Sequence, residues 1–551
     1  MNALLQPVPK RWSSPVPAVE ASRFLATVLH FFRYRSPDQM AAFLIAVAAL
    51  SLSWWNILDA PGYQDDEGTY TAQALSTLHG SLAPYTYWYD HPPLGWVQLA
   101  ALAWLPGILG LGGEVAVGQM RYVVALYFVA STVLVFLIAR RLNLRLPFAV
   151  LAALLYCISP LSLVLGRQVF IDNVGLPWLL LAFYLVLSPQ LKLWDHVGAA
   201  ACFAVAVLSK ETLAIFGPAL LVALLHRPKW ETRSFSLIGF LSVGGLILGF
   251  FPLLAILQGE LVSGPGHVSL QDALAYQFVS RPGSGSILDA GSGRQELVLG
   301  WMYYDNLLLL LGAAAAAVCL AQREARWIPA ALLLFAAPVL IGHGYLPGMY
   351  IIAAIPFLAL ATSVAADFAS RILSKIFGLV RLPGRQQSPL AAPGQGPAAL
   401  VAANAVLILS LALVVVPPWS ATNQRLMAGN ENADWNKALE WSKENLPKDD
   451  VALVPYSMWQ DLNADGRHDP WKVIAIEKMD LDSDFAERHP DGWRSVDWIV
   501  EGPPTRRNVT NLGLENAGQA LENSSVVAAF GDWKVRKVLP GGTPSATGEG
   551  S

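Results

Sequence analysis

Residues 59–120 carry six carboxylates and no lysine or arginine; the first cation after them is Arg121. Two clusters stand out in this segment. One is Asp65-Asp66-Glu67-Gly68-Thr69-Tyr70, and the other is Tyr85-Thr86-Tyr87-Trp88-Tyr89-Asp90-His91-Pro92-Pro93. Grouped carboxylates suit two kinds of chemistry, a general base that takes a proton from a hydroxyl or a hard-cation site. A solvated acidic loop would account for the charge equally well. The interleaved aromatics argue for more, because flat apolar rings with polar tips are what a carbohydrate site uses.

The elements that must position these residues are membrane helices. Hydrophobic residues make up 54% of the 551, charged residues 14%, and the mean hydropathy is +0.44, whereas about a quarter of residues are charged in a soluble protein. The average conceals a division near residue 419. Up to that point there are 23 Lys and Arg and 19 Asp and Glu; the last 132 residues hold 14 and 21. A membrane part is thus followed by a small acidic soluble part. No basic stripe exists for nucleic acid, which excludes that class of partner. Cys157, Cys202 and Cys319 all lie in apolar runs, so no disulfide framework is expected.

A spanning helix needs roughly 20 apolar residues. Eleven runs qualify: 39–58, 121–139, 147–165, 172–188, 197–209, 212–226, 236–257, 302–320, 327–342, 348–365 and 399–418. With the N-terminus cytoplasmic, this threading puts 18 of the 23 basic residues inside, as the positive-inside rule requires. It also places the soluble part outside. Residues 93–110 are apolar enough to cross, but crossing would turn the Arg140, Arg141 and Arg145 cluster outward. They are therefore expected to lie along or dip into the outer interface, with Trp96 and Trp104 at headgroup depth. The expected organisation is a cytoplasmic segment 1–38, a membrane domain 39–418 with outer loops 59–120 and 258–300, an extracytoplasmic domain 419–540 and a disordered tail 541–551. Residues 382–397 read as a cytoplasmic linker.

The order of motifs along the outer face resembles the polyprenyl-phosphate-dependent membrane glycosyltransferases of the GT-C class, in the branch of the protein O-mannosyltransferases and aminoarabinose transferases. Four pieces carry the resemblance: Asp66-Glu67-Gly68-Thr69-Tyr70 with Asp90-His91-Pro92-Pro93 after it; Gly166-Arg167-Gln168-Val169-Phe170-Ile171-Asp172; Leu208-Ser209-Lys210-Glu211; and Tyr345-Leu346-Pro347-Gly348-Met349-Tyr350. Together they extend over about two-thirds of the chain. The expected fold is thus an α-helical polytopic membrane protein, GT-C-like by this resemblance, followed by a small C-terminal α/β domain read from its own helix and strand pattern. The resemblance also implies an inverting transfer of a sugar from a polyprenyl-phosphate donor to an acceptor hydroxyl at the outer face, with Asp66 as base and Glu67 beside it. Where relatives place a lysine before the prolines, this chain has His91, which is cationic only part of the time near neutral pH. Phosphate binding is thus shared among the candidates His91, Arg167, Lys210 and Arg281. Asp65, Tyr70, Tyr87, Asp90, Asp172, His343 and Tyr345 are the candidate pocket residues. Lys210 as a snorkelling residue, Arg167 as a helix-end anchor and Asp172 as its partner are the structural alternatives. The acceptor, whether lipid, polysaccharide or protein, and the sugar are left open. No cofactor is implied, and a divalent cation is neither required nor excluded.

In the soluble part, 433–448 reads as an amphipathic helix, 451–455, 496–501 and 534–538 as strands, and 516–523 as a helix. Asp461, Asn463, Asp465 and Asp469 have part of the spacing of a calcium loop, but its last ligand position is Lys472, so a plain polar turn is the better reading. The domain shows no catalytic constellation and is assigned to acceptor contact or to covering the site. A transporter or scramblase of lipid-linked sugars is the alternative reading. It would bury ionisable residues at mid-bilayer and show an internal repeat; here the ionisable residues collect at the outer ends of the spans.

Overall fold

The computed structural model describes residues 36–539 except 112, 191, 227–229, 343, 380–396, 467 and 468. The expected linker 382–397, save its last residue, the terminal tail and nearly all of the N-terminal segment fall outside the described residues. Residues up to Leu44 separate from the rest, and their described part opens the helix Pro37–Trp54; everything from Ile45 onward is one compact unit.

Every apolar run in the sequence is helical. Seven helices among the described residues are long and apolar enough to cross a membrane, or eight if the bent pair Leu146–Ile158 and Pro160–Gly166 is one span. The remaining runs form the shorter helices Ile171–Val186, Leu193–Ser209 and Glu211–His226. The 61° bend of the pair falls at Ser159–Pro160, where proline cannot donate to the preceding turn. There the Ser159 side chain accepts from the Ser162 amide and starts the helix afresh. Burial divides the helices into two groups. Gly348–Ile376 and Ile171–Val186 form the packed centre, whereas Thr232–Gln258 and Ala399–Met427 leave most of their apolar surface outward, as a helix facing lipid does. Residues 93–110 form the short helices Leu94–Leu102 and Leu105–Leu109 rather than a span. Trp104 is exposed, but Trp96 is fully buried against protein, not at headgroup depth as expected.

The soluble part is an α/β domain with five strands: β1 (Ala452–Val454), β2 (Val473–Ala475), β3 (Trp498–Glu501), β4 (Ser524–Phe530) and β5 (Trp533–Val538). The sheet order is β2-β1-β3-β5-β4; β1 is parallel to both neighbours, and β5 is antiparallel to β3 and β4. Sequence patterning shows three of these strands. It misses β2, only three residues long, and β4, whose alternation is largely exposed.

This domain is fastened to residues 59–120. The Tyr85 hydroxyl reaches into it, donating to Val473 O and accepting from Ala475 N and Trp459 Nε1, at 2.7–3.0 Å. Asp482 accepts from the Thr86 amide and hydroxyl, Asp461 from the Ala116 amide, and Asn432 from the Tyr63 amide. The tightest approach is at Gly68, where an added Cβ would lie 2.1 Å from the Tyr456 carbonyl oxygen and 2.4 Å from the Ser457 nitrogen. Backbone cannot yield as a side-chain end can. Gly68→Ala is therefore expected to destabilise the protein by about 1–3 kcal/mol, the usual range for overpacking, and to loosen the domain. A fall in melting temperature in detergent, with faster proteolytic cutting at residues 428–432, would register it.

Candidate active site

Asp65, Asp66 and Glu67 form the first turn of the helix Asp65–Leu78. The free backbone amides there favour carboxylates, and the three acids then divide their work. Glu67 is fully buried. Its oxygens take Nη2 and Nε of Arg121 at 2.6 and 2.8 Å, the Val169 amide at 2.9 Å and the Gln64 amide at 3.1 Å. Arg121, also fully buried, donates further to the carbonyls of Ile57 and Pro61 and lies over the Tyr63 ring. With its lone pairs thus occupied, Glu67, expected beside Asp66 in the catalytic pair, is engaged in positioning the helix that carries Asp66. Asp65 accepts from the Ser457 amide at 3.4 Å, and burial pushes its carboxyl up to about 6 against that bond. Asp66 has no hydrogen-bond partner among the described residues and stays open to solvent. Its pKa is raised, first by desolvation, while Lys210, His91 and Arg281 pull it back.

Those three cations or near-cations come from distant parts of the chain. His91 lies between Glu211 and Lys210: its Nδ1 is 2.9 Å from Glu211 Oε2 and its Nε2 is 3.2 Å from Lys210 Nζ. Burial, the largest influence, would lower the His91 pKa; the Glu211 and Asp90 carboxylates together, with the hydrogen bond to Glu211, outweigh it and Lys210, and the net shift is upward. Glycine explains how the elements meet. A Cβ on Gly95, just beyond the prolines, would lie 2.7 Å from the Ser209 carbonyl and 2.9 Å from Ile171. The Asp-His-Pro-Pro segment, the start of the helix carrying Asp172 and the residue before Lys210 therefore pack flush. Lys210 is 3% exposed and 3.8 Å from Glu211, so it is no snorkelling residue. Asp172, 2% exposed with Oδ2 unpartnered, faces Lys210 and not Arg167.

Arg281 lies over the Tyr345 ring, 3.7 Å from its centroid, and donates to Gln277; both Arg281 and Tyr345 are within electrostatic reach of Asp66. Tyr70 packs near His91, Tyr87 donates to the His91 carbonyl at 2.6 Å, and Asp90 accepts from the His91 amide. Two expectations are corrected. Arg167 is 1% exposed and spends its guanidinium on the carbonyls of Ser53 and Trp55, a structural anchor and not a phosphate ligand. The weak calcium candidate fails because Asp461 and Asn463 stand on the helix Tyr456–Ala464. Asp461 there accepts from Ala116, Asp465 pairs with Lys448, and Asp469 accepts from the Trp471 amide. No group of three or more His, Cys, Asp or Glu able to hold a metal occurs among the described residues. His343 lies outside the described residues. Arg121 and Glu211 are the site residues the sequence reading did not single out; the first cation after six acids was the available signal for Arg121.

The site thus joins a carboxylate open to solvent with cations able to hold an anion, at the ends of apolar helices. A profile of the dolichyl-phosphate-mannose-protein mannosyltransferase family matches residues 90–256. That stretch contains His91, Asp172, Lys210 and Glu211. Among solved structures, the chain is similar to ArnT from Cupriavidus metallidurans bound to undecaprenyl phosphate, at 15% identity and a TM-score of 0.54, over 91% of this chain and 98% of that one. It is also similar to the archaeal oligosaccharyltransferase AglB from Archaeoglobus fulgidus in complex with an inhibitory peptide and a dolichol-phosphate, at 15% identity and a TM-score of 0.51, over 90% and 73%. No curated protein matches by sequence. The chain is a multi-pass membrane protein with the GT-C glycosyltransferase fold.

Proposed function

We propose that the protein is an inverting glycosyltransferase that moves a sugar from a polyprenyl-phosphate donor to an acceptor hydroxyl at the extracytoplasmic face of a cell membrane. The observation that carries this reading is the convergence of Lys210, His91 and Arg281 on the unpartnered Asp66. A lipid-linked donor leaves a phosphate at the membrane surface, and a cation must hold that charge as it forms. Asp66 takes the proton from the acceptor hydroxyl while its oxygen attacks the anomeric carbon. The bond from that carbon to the phosphate oxygen breaks, and the polyprenyl phosphate leaves toward Lys210 and Arg281. The excess of basic residues in the inner loops supports a cytoplasmic N-terminus and an extracytoplasmic soluble domain. The relatives bound to undecaprenyl phosphate and dolichol-phosphate support the donor class.

The test is transfer from labelled polyprenyl-phosphate sugars by membranes containing the protein, with nucleotide sugars as the comparison. Label should pass only from the lipid donor; transfer from the nucleotide sugar alone would overturn the reading. Lys210→Met should weaken donor binding about 10- to 100-fold, the worth of a charge-assisted contact. Donor KM in the same assay reads it, and an unchanged value would remove Lys210 from phosphate binding.

A further inference from the structure

The soluble domain does more than cover the site. Its parallel strands β1 and β2 both aim their carboxyl ends at the outer helix, the end of an α/β sheet where ligands bind. Beyond β1 come Tyr456 and Ser457, in contact with Gly68 and Asp65; beyond β2 come Glu477 and Lys478. Polar atoms there are left without partners. Glu477 Oε2 is sealed from solvent with no hydrogen bond, and so is Trp88 Nε1 from the first outer loop. The Lys478 side chain is 11% exposed and its ammonium lies 3.3 Å from the centroid of the Trp88 ring. Its nearest carboxylate, Asp482, is 4.0 Å away and already accepts from Thr86. Buried polar groups in native proteins are nearly always paired, so two unpartnered atoms, Glu477 Oε2 and Trp88 Nε1, on either side of an ammonium held only by a ring face and a distant carboxylate mark a place prepared for a ligand.

We infer that Glu477, Lys478 and Trp88 form the acceptor subsite, which binds a neutral, multiply hydroxylated acceptor next to Asp66. This rests on the transferase reading above and adds the acceptor's chemistry to it. Each hydroxyl of a saccharide both donates and accepts, and it meets here a carboxyl, an ammonium and an indole N–H. Charge selects against the anionic alternative. Glu477 is within electrostatic reach of Asp65 and Asp66, and Lys478 of Asp482 and Asp90. The charges nearest Glu477 and Lys478 are acidic and disfavour a phosphorylated or carboxylated acceptor there, while Lys210, His91 and Arg281 stand on the donor side of Asp66. Burial pushes the Glu477 carboxyl up to about 7 and lowers Lys478 to about 8, so both groups can donate near neutral pH.

The test uses the full-length protein in detergent with a polyprenyl-phosphate sugar, and octyl glucoside, octyl lactoside and their monophosphates as acceptors. The neutral glycosides should be preferred. Glu477→Gln and Lys478→Met should each raise the acceptor KM about tenfold or more, the worth of one hydrogen bond to a charged group, and leave the donor KM within about twofold. A domain that merely covers the site would not split the two constants in this way, and equal melting temperatures would exclude misfolding. If the wild type transfers sugar but the variants match its acceptor KM, or the monophosphates are preferred, the subsite is overturned and the transferase reading stands. If the wild type uses no lipid-linked donor with any acceptor, both fall.

Discussion

Asp66→Asn is expected to lower the rate of transfer about 10²- to 10⁴-fold, the usual contribution of a positioned general base. The substitution keeps the side chain's size, and Asp66 makes no hydrogen bond among the described residues that it would disturb, so yield and melting temperature should match the wild type. Asp65→Asn serves as the control. Asp65 is engaged by the Ser457 amide, and its loss should cost far less. The pH profile adds a second reading. The base must be ionised to accept a proton, so the rate falls as pH drops through its pKa. Desolvation raises that pKa in the folded protein, against the pull of Lys210, His91 and Arg281. The acid limb in the wild type should therefore lie above the range of an ordinary aspartate. A limb at or below that range would mean that another group limits the rate.

Glu67→Gln is expected to be the most damaging substitution for stability, costing about 3–5 kcal/mol. Both members of the Glu67–Arg121 pair are fully buried, and removing one charge leaves the other uncompensated in a place water does not reach. Glutamine can still accept from the Val169 amide, so the loss isolates the charge. Thermal unfolding in detergent should show a large drop, and pairing the change with Arg121→Met should recover part of it. A shift equivalent to less than about 1 kcal/mol would place the pair in a wetter setting than the structure gives it. The consequence for function is indirect. Glu67 fixes the first turn on which Asp66 stands, so the variant should lose activity together with stability.

The membrane class, the helical runs and the candidacy of Asp66, His91 and Lys210, which the structure brings together, were legible because each has a local signature: a long apolar run, or an acid or base out of place beside one. The partners of these residues were not. Glu67 and Arg121 are 54 positions apart, and Tyr85 meets Trp459 across 374; no periodicity connects such pairs. Arg167 has the residue type of a phosphate ligand, and only the position of the Ser53 and Trp55 carbonyls reveals it as an anchor. Nothing in the sequence around Gly68 and Gly95 announces the backbone that each one admits. Glu477 and Lys478 look like any charged pair in the C-terminal part, and it is the burial against Trp88 that sets them apart.

The stereochemistry of transfer tests the central claim most directly. Purified protein would be given a polyprenyl-phosphate sugar of known anomeric configuration with a neutral alkyl glycoside as acceptor, and the new linkage read by the coupling constant of its anomeric proton. A single in-line displacement driven by Asp66 predicts the configuration opposite to that of the donor in every product molecule. A product that retains the donor's configuration would require a covalent glycosyl intermediate on the protein, and would contradict an account in which one carboxylate acts only as a base.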